Sequence, residues 1–110
     1  MESTEALAAF AALGQATRLD VFRLLIRAGA EGIAAGEIGE ALQVRQNTLS
    51  ANLTVLLNAG LVRNERQGRS IRYFADMDGL RGLLVFLLED CCAGRPELCQ
   101  PLVDEIACAC

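Results

Sequence analysis

The chain has 110 residues, of which 53% are hydrophobic and 22% are charged, and its formal net charge is −4 at pH 7. This length predicts one globular domain with a single core, and the composition excludes a disordered chain. Because the sequence contains no histidine, histidine-based catalysis and every histidine-containing zinc site are excluded.

Further classes of protein are excluded by missing motifs. The sequence has no nucleophile–base pair and no phosphate-binding loop, so we do not expect an enzyme. The N-terminus has no basic region before an apolar stretch, which predicts no signal peptide. The longest run of large apolar residues, 83–88, is far shorter than the ~20 residues that a membrane span needs. We therefore expect a soluble, cytoplasmic protein without a membrane partner.

The N-terminal half predicts four helices. The first is rich in Ala and Leu and has few charges, so we expect it to be covered on both sides rather than exposed. The second has apolar residues at helical spacing and ends at Gly29, and the fourth has a leucine stripe and ends at Gly60. A turn at 43–45 joins the third helix to the fourth. The four segments are 4–13, 15–28, 36–42 and 46–59.

The fourth helix has an unusual second face, opposite its leucines. That face carries small or hydrogen-bonding residues without charge: Asn47, Ser50, Ala51, Thr54 and Asn58. A solvated helix face is the ordinary explanation, but such faces usually carry Lys and Glu. A neutral face of this kind is suited to lie against base edges and phosphates without repulsion.

The period of the pattern changes after Gly60. Residues 61–66 and 70–74 predict two strands, with Gly68 supplying the turn of a hairpin. Four arginines and one acid lie between positions 63 and 72, so the negative net charge leaves nucleic-acid binding open. Charges on a hairpin edge often only prevent aggregation, but beside a polar helix we favour phosphate contact. The arginines at or near the tip are Arg66, Arg69 and Arg72.

Residues 80–92 predict a helix that is apolar on nearly all sides, preceded by Asp76 and Asp78, either of which is a suitable helix cap. Such a helix needs partners on two sides, which we expect to be its own core and a second subunit.

All five cysteines lie in the last twenty residues, at 91, 92, 99, 108 and 110. An odd number of cysteines without a secretory signal favours thiolate chemistry over a disulfide framework. Gly94 is a natural helix stop and Pro96 a natural start, which places Cys99 one turn into a new helical segment, able to fold back on Cys91 and Cys92. Thiolates bind soft ions, and As(III) and Sb(III) are suited to three sulfurs in a pyramid. Small core residues are the alternative for Cys91 or Cys92.

The order of these elements is typical of a winged helix-turn-helix. In detail the sequence resembles the ArsR/SmtB family of metal-responsive repressors over residues 5–90. The matching segments are ATRLDVFRLL at 16–25, TLSANL at 48–53, LLNAGLV at 56–62 and GRSIRY at 68–73.

The chain departs from the family pattern at three places. Asn52 stands where the family usually has histidine, at the border of the leucine stripe, which leaves open whether it orients the helix or contacts DNA. Residues 32–38 lack the thiols of the family's best-known arsenic site, and the common zinc site on the last helix is also absent. The pattern at Cys91, Cys92 and Cys99 resembles members that respond to As(III) through an adjacent cysteine pair and one further cysteine.

The resemblance implies a mainly α-helical, dimeric winged helix-turn-helix of about five helices with a β-hairpin wing. Residues 1–92 would form the DNA-binding and dimerisation domain and 93–110 a cysteine-containing extension. The implied function is a repressor that binds double-stranded operator DNA as a homodimer. The two subunits would contact each other through the first helix and helix 80–92. As(III) or Sb(III) is the expected inducer, and no organic cofactor is expected.

These interpretations define two candidate sites. The ion site is Cys91, Cys92 and Cys99, with Cys108 and Cys110 as further candidates. The DNA-binding residues are Gln46, Asn47, Thr48, Ser50, Thr54, Arg66, Arg69 and Arg72. Three alternatives stay open: a redox-sensing repressor that uses disulfides, a Cd- or Zn-sensing repressor, and a metal-buffering protein without DNA binding.

Overall fold

The structure of the chain, a computed structural model, describes residues 1–89 and 94–109. Six α-helices and a short 3-10 turn (Gly29–Glu31) accompany three strands in this part of the chain. The helices are α1 Ser3–Leu13, α2 Ala16–Ala28, α3 Ala35–Leu42, α4 Gln46–Asn58, α5 Met77–Leu88 and α6 Pro96–Ala109. The strands are β1 Ile33–Ala34, β2 Val62–Gln67 and β3 Ser70–Ala75.

The predicted fold class, mainly helical with a winged helix-turn-helix, is confirmed. The four N-terminal helices and the hairpin lie within one or two residues of their predicted positions. Asp76 caps α5, because its side-chain oxygen accepts a hydrogen bond from the backbone N–H of Gly79 at 3.1 Å. The sequence prediction missed β1, which pairs antiparallel with β3 and converts the hairpin into a three-stranded sheet of order β1-β3-β2.

The core lies where the first four helices meet the sheet. Leucines of α4 pack against α2 and α3, and β3 closes the core from the other side. Burying a large apolar side chain stabilises the fold by roughly 1.5–3 kcal/mol. The largest fully buried side chains are Leu25, Ile38, Leu49, Leu53, Leu56, Leu61 and Val21.

The turn between α3 and α4 fixes the angle of the helix-turn-helix. Gln43 ends α3 in the left-handed region at φ 54°, and its backbone N–H donates to carbonyls of α3. The N–H of Val44 donates to the carbonyl of Gly39 at 3.0 Å. These bonds satisfy the last carbonyls of α3 and turn the chain into α4.

The expectation that α1 is covered on both sides is not met within one chain. Its buried face consists of alanines, whereas Leu7 and Phe10 are 68% and 42% exposed. Helix α5 shows the same division, since Leu83 is buried while Val85 and Leu87 are exposed. Each helix therefore has one face in the core and one uncovered apolar face.

Helix α6 forms most of the predicted C-terminal extension, and it begins at Pro96 with Cys99 in its first turn, as the sequence predicts. Its apolar residues are exposed along its length: Leu98, Leu102, Val103 and Ile106. The predicted boundary at residue 92 lies outside the described residues. Within the described residues, no helix is long and apolar enough to cross a membrane.

Candidate nucleic-acid interface

Helix α4 places its two faces as the sequence predicts. The leucine stripe points into the core, and the predicted DNA-binding residues of this helix are all exposed: Gln46, Asn47, Thr48, Ser50 and Thr54. The side-chain oxygen of Asn47 accepts from the N–H of Thr48 at 2.9 Å, and the hydroxyl of Thr54 donates to the carbonyl of Ser50 at 3.0 Å. These bonds are local, so the outer face of α4 stays uncharged and open to a partner.

The register of the hairpin divides its arginines between two faces and a tip. Arg63 lies opposite Phe74, and Glu65 lies opposite Arg72, which places these side chains on one face of the ladder. Arg66 pairs with Ile71 and therefore belongs to the other face, while Arg69 lies in the turn between the strands. The arginines do not form one continuous patch.

Arg72 is bound to its own chain. Its guanidinium donates to the carbonyls of Glu31 and Gly32 at 3.1 Å and to the side chain of Gln67 at 3.2 Å, and it lies 3.9 Å from the carboxylate of Glu37. These contacts tie the wing to the loop before β1. A role of Arg72 in DNA binding stays a prediction, to be set beside this structural role.

Gly32 is the reason that this loop fits against the wing. It has a positive φ of 63°, and a Cβ at this position would lie 2.5 Å from the ring of Phe74. Only glycine combines that backbone conformation with so close an approach.

The remaining three wing arginines differ in their partners. Arg63 stacks on the ring of Phe74 at 4.3 Å and lies 3.4 Å from Glu65. Arg66 and Arg69 are exposed, and the described residues provide no hydrogen bond or ion pair for either guanidinium. The wing charges available to phosphates are therefore those of Arg66 and Arg69.

Asn52 faces inward, with 8% of its surface exposed. Its amide oxygen accepts from Arg18 at 3.1 Å, and its amide nitrogen donates to the carbonyl of Thr48 at 3.1 Å. The structure thus gives this residue a place in the interior instead of on the outer face of α4. Its partner Arg18 was not singled out by sequence reasoning, because the two residues are 34 positions apart and no local pattern links them.

The predicted ion site lies mostly outside the described residues. Cys91, Cys92 and Cys110 belong to the part that is not described, and so does the side chain of Cys108. Cys99 is half-buried in α6 and is disulfide-bonded. Among the described residues, no group of three or more Cys, Asp or Glu side chains is arranged to hold a metal ion.

An exposed polar helix after a tight turn, followed by a basic hairpin, defines a winged helix-turn-helix protein. A family model described as a helix-turn-helix domain matches residues 13–65. The uncharacterized HTH-type transcriptional regulator YbzH of Bacillus subtilis (strain 168) is 38% identical over 56 residues, which are 51% of this chain and 56% of YbzH. The match therefore spans little more than half the length of that relative.

Solved structures agree with this class over more of the chain. An ArsR-like transcriptional regulator from Rhodococcus sp. RHA1 is 28% identical with a TM-score of 0.70, covering 94% of this chain and 93% of its own. The homodimeric winged helix-turn-helix domain of Mb0332 from Mycobacterium bovis, a possible ArsR-family transcriptional regulator, is 30% identical with a TM-score of 0.65. The match covers 79% of this chain and 80% of the Mb0332 domain. The chain belongs to the ArsR-type winged helix-turn-helix family.

Proposed function

We propose that the chain is a transcriptional repressor that binds operator DNA as a homodimer and releases it when As(III) or Sb(III) binds its C-terminal thiolates. The observation that carries the DNA-binding part is the outer face of α4, which is exposed, uncharged and rich in hydrogen-bonding groups. In a winged helix-turn-helix, the second helix of the motif enters the major groove. Arg66 and Arg69 then supply positive charge to flanking phosphates.

Dimerisation is supported by the uncovered apolar faces of α1 and α5. Large side chains such as Leu7 and Val85 are more than half exposed, and contiguous exposed apolar surface marks interaction sites. Two copies related by a twofold axis would present two α4 helices to successive major grooves about 34 Å apart. Mb0332, whose fold is shared, is described as homodimeric.

The sensing part is supported by donor chemistry. Five thiols and no histidine form a soft-ligand set, and As(III) and Sb(III) are suited to a pyramid of three sulfurs. Cys91, Cys92 and Cys99 would supply those sulfurs, with Cys108 and Cys110 as secondary candidates. Ion binding at the end of α5 would favour a dimer with the wrong spacing of recognition helices. By linkage, DNA must weaken ion binding by the same factor.

A second candidate, a redox-sensing repressor, is favoured by one observation. Cys99 is disulfide-bonded in the structure, and a sulfur in a disulfide is not a thiolate ligand. Oxidation and ion binding would therefore use the same cysteine in mutually exclusive forms.

The DNA-binding part is tested with duplexes selected from a random pool by the reduced protein. We expect the selected duplex to be bound more tightly than a scrambled duplex of the same composition. Because a good base contact contributes roughly 1–3 kcal/mol of discrimination, Asn47→Ala or Ser50→Ala should reduce that preference by about tenfold. Failure of the wild-type protein to retard any duplex would instead favour the metal-buffering alternative.

The sensing part is tested by fluorescence anisotropy of the selected duplex against arsenite, in excess reductant. Cys91→Ser, Cys92→Ser and Cys99→Ser should each bind DNA normally but lose the release by arsenite, because a three-sulfur site that loses one thiolate loses its chelate closure. Cys108→Ser and Cys110→Ser are the matched controls and should respond like wild type. A normal arsenite response of Cys99→Ser would contradict the three-thiol site, and release by peroxide alone would favour the redox candidate.

A further inference from the structure

Arg18 lies in the first turn of α2 and hydrogen-bonds to two other helices. Its Nε donates to the carbonyl of Ala12 at 2.6 Å, and its Nη2 donates to the carbonyl of Ala11 at 3.4 Å, both near the end of α1. Its Nη1 donates to the side-chain oxygen of Asn52 in α4 at 3.1 Å. One guanidinium therefore joins α1 to α4.

Each of these contacts has a physical reason. The last carbonyls of a helix lack intrahelical partners, and the C-terminus of a helix carries partial negative charge. A guanidinium satisfies several such acceptors at once, because its N–H donors point in fixed, divergent directions. The backbone N–H of Arg18 is itself held by the side chain of Gln15 at 2.8 Å, which fixes the start of α2.

The contact of Arg18 with α4 is made through a fully bonded amide. Asn52 is buried, and both ends of its amide are bonded, the oxygen to Arg18 and the nitrogen to the carbonyl of Thr48. Removing the partner of a buried amide destabilises the fold, because a polar group is then left buried without a hydrogen bond. Thr48 belongs to the exposed face that we assign to DNA, and the bond from Asn52 reaches the backbone carbonyl of Thr48 one turn earlier in the same helix.

An open surface cleft of about 360 Å³ lies between α1 and α4, lined mainly by small side chains such as Ala8, Ala11 and Ala59, with Arg18 at its wall. Small side chains interlock less than large ones and so fix the register of two helices less strongly. The hydrogen bonds of Arg18 add a directional constraint between the two helices.

We infer that Arg18 is a positioning residue that transmits the placement of α1 to the DNA-binding face of α4 through Asn52, an inference that rests on the proposed function. Because α1 carries the exposed side chains of Leu7 and Phe10, this bridge connects the surface we assign to the second subunit with the recognition helix. The spacing of the two recognition helices in a dimer then depends on one guanidinium per subunit.

The experiment compares Arg18→Lys, Asn52→Leu and the double variant with Arg23→Ala, which removes an exposed arginine from the same helix. Each variant is titrated with the selected duplex and its scrambled counterpart over a range of salt. Loss of a hydrogen bond to a charged group should weaken binding of the selected duplex by at least about tenfold. Arg23→Ala should bind both duplexes like wild type.

A positioning role and a direct phosphate contact give different results. A lost phosphate contact weakens both duplexes alike and reduces the salt slope by about one. We expect Arg18→Lys to weaken only the selected duplex, and the double variant to be no weaker than the worse single variant. An equal loss on both duplexes, or additive losses in the double variant, would overturn the inference.

A second readout on the free protein keeps this result separate from the proposed function. Native-state hydrogen exchange of the backbone amides of α4 should be about tenfold faster in Arg18→Lys and Asn52→Leu than in Arg23→Ala. If wild type binds no duplex, the proposed function fails while the exchange of α4 still tests the bridge. Unchanged exchange in both variants would remove Arg18 as a constraint on α4.

Discussion

At the residue scale, the wing shows that arginines a few positions apart serve different purposes. Arg69 lies at the hairpin turn without an intrachain partner among the described residues. Arg72, three positions later, is fixed by two backbone carbonyls and two side chains. The difference follows from the register, which points Arg72 towards the loop before β1 and leaves Arg69 in solvent.

These two arginines should respond differently to truncation. Arg69→Ala should reduce the salt slope of DNA binding by about one, with unchanged folding, because one phosphate contact is lost. Arg72→Ala should lower the free energy of unfolding by roughly 1–3 kcal/mol, because the Glu31 and Gly32 carbonyls lose a charged donor. Urea denaturation and salt titrations of both variants measure these effects. A wild-type salt slope in Arg69→Ala would remove the wing tip from the interface.

Residue contacts that join distant parts of the chain were beyond sequence reasoning. The sequence placed Asn52 at the border of the leucine stripe, since helical spacing locates a residue on its own helix. It did not reveal that Arg18 is the partner of Asn52, or that Arg72 binds carbonyls 40 and 41 positions earlier. Those contacts depend on how helices and strands pack, and packing leaves no local periodicity.

At the element scale, long amphipathic segments were predicted well and short or irregular ones were not. The leucine spacing of α4 repeats often enough to identify that helix, and Gly68 between two short segments identifies the hairpin of β2 and β3. Strand β1 has two residues, too few for alternation, and its pairing with β3 joins residues about 40 positions apart. For helix α6 the sequence predicts only a start at Pro96. Pro101 lies within the helix, although proline normally opposes a helix interior.

At the junction between α4 and α5, two backbone segments lie so close together that only glycine fits between them. The backbone N–H of Asp76 donates to the carbonyl of Leu61 at 2.8 Å, and a Cβ on Gly79 would collide with the carbonyl oxygen of Gly60. Backbone atoms cannot move aside as the end of a side chain can. The start of α5 is thereby fixed against the end of α4.

Two glycines of α5 make a matched test of this contact. Gly79→Ala should lower the free energy of unfolding by about 1–3 kcal/mol, because the added methyl group forces the two backbones apart. Gly82→Ala adds the same methyl group beside the side chain of Met1, where it should be neutral or stabilise by about 0.5–1 kcal/mol. Thermal and urea unfolding of both variants measure the difference. Equal effects of the two substitutions would argue against a close approach at Gly79.

At the scale of the whole molecule, uncovered apolar surface is concentrated on three helices. Leu7, Phe10, Leu84, Val85 and Leu87 lie on α1 and α5, and Leu98, Leu102, Val103 and Ile106 lie on α6. The sequence anticipated this for helix 80–92 because its apolar residues surround it. It did not anticipate that α1 would bury its alanines and expose its larger side chains.

A charge placed on this surface should prevent self-association. Val85→Glu should shift the protein from dimer to monomer in sedimentation equilibrium, because Val85 is 63% exposed in the single chain and a buried unpaired carboxylate is costly. Ala30→Glu adds the same charge on the 3-10 turn and should leave the mass unchanged. Val85→Glu should also bind operator DNA more weakly, because a monomer contacts only one of the two half-sites. A Val85→Glu protein with wild-type dimer affinity would show that α5 does not form the interface.

The buried face of α1 has a thermodynamic consequence. Its three core residues, Ala6, Ala9 and Ala12, each bring in one methyl group, and burial of such a group stabilises by only about 0.8 kcal/mol. Apart from the partly buried Leu13 and the hydrogen bonds from Arg18 to the end of α1, little therefore offsets the entropy lost when this helix becomes ordered. If the partner subunit covers Leu7 and Phe10, assembly supplies the remaining free energy, and mass action applies. The midpoint of thermal unfolding would then rise with protein concentration, and dilution would loosen the first helix before the rest of the domain.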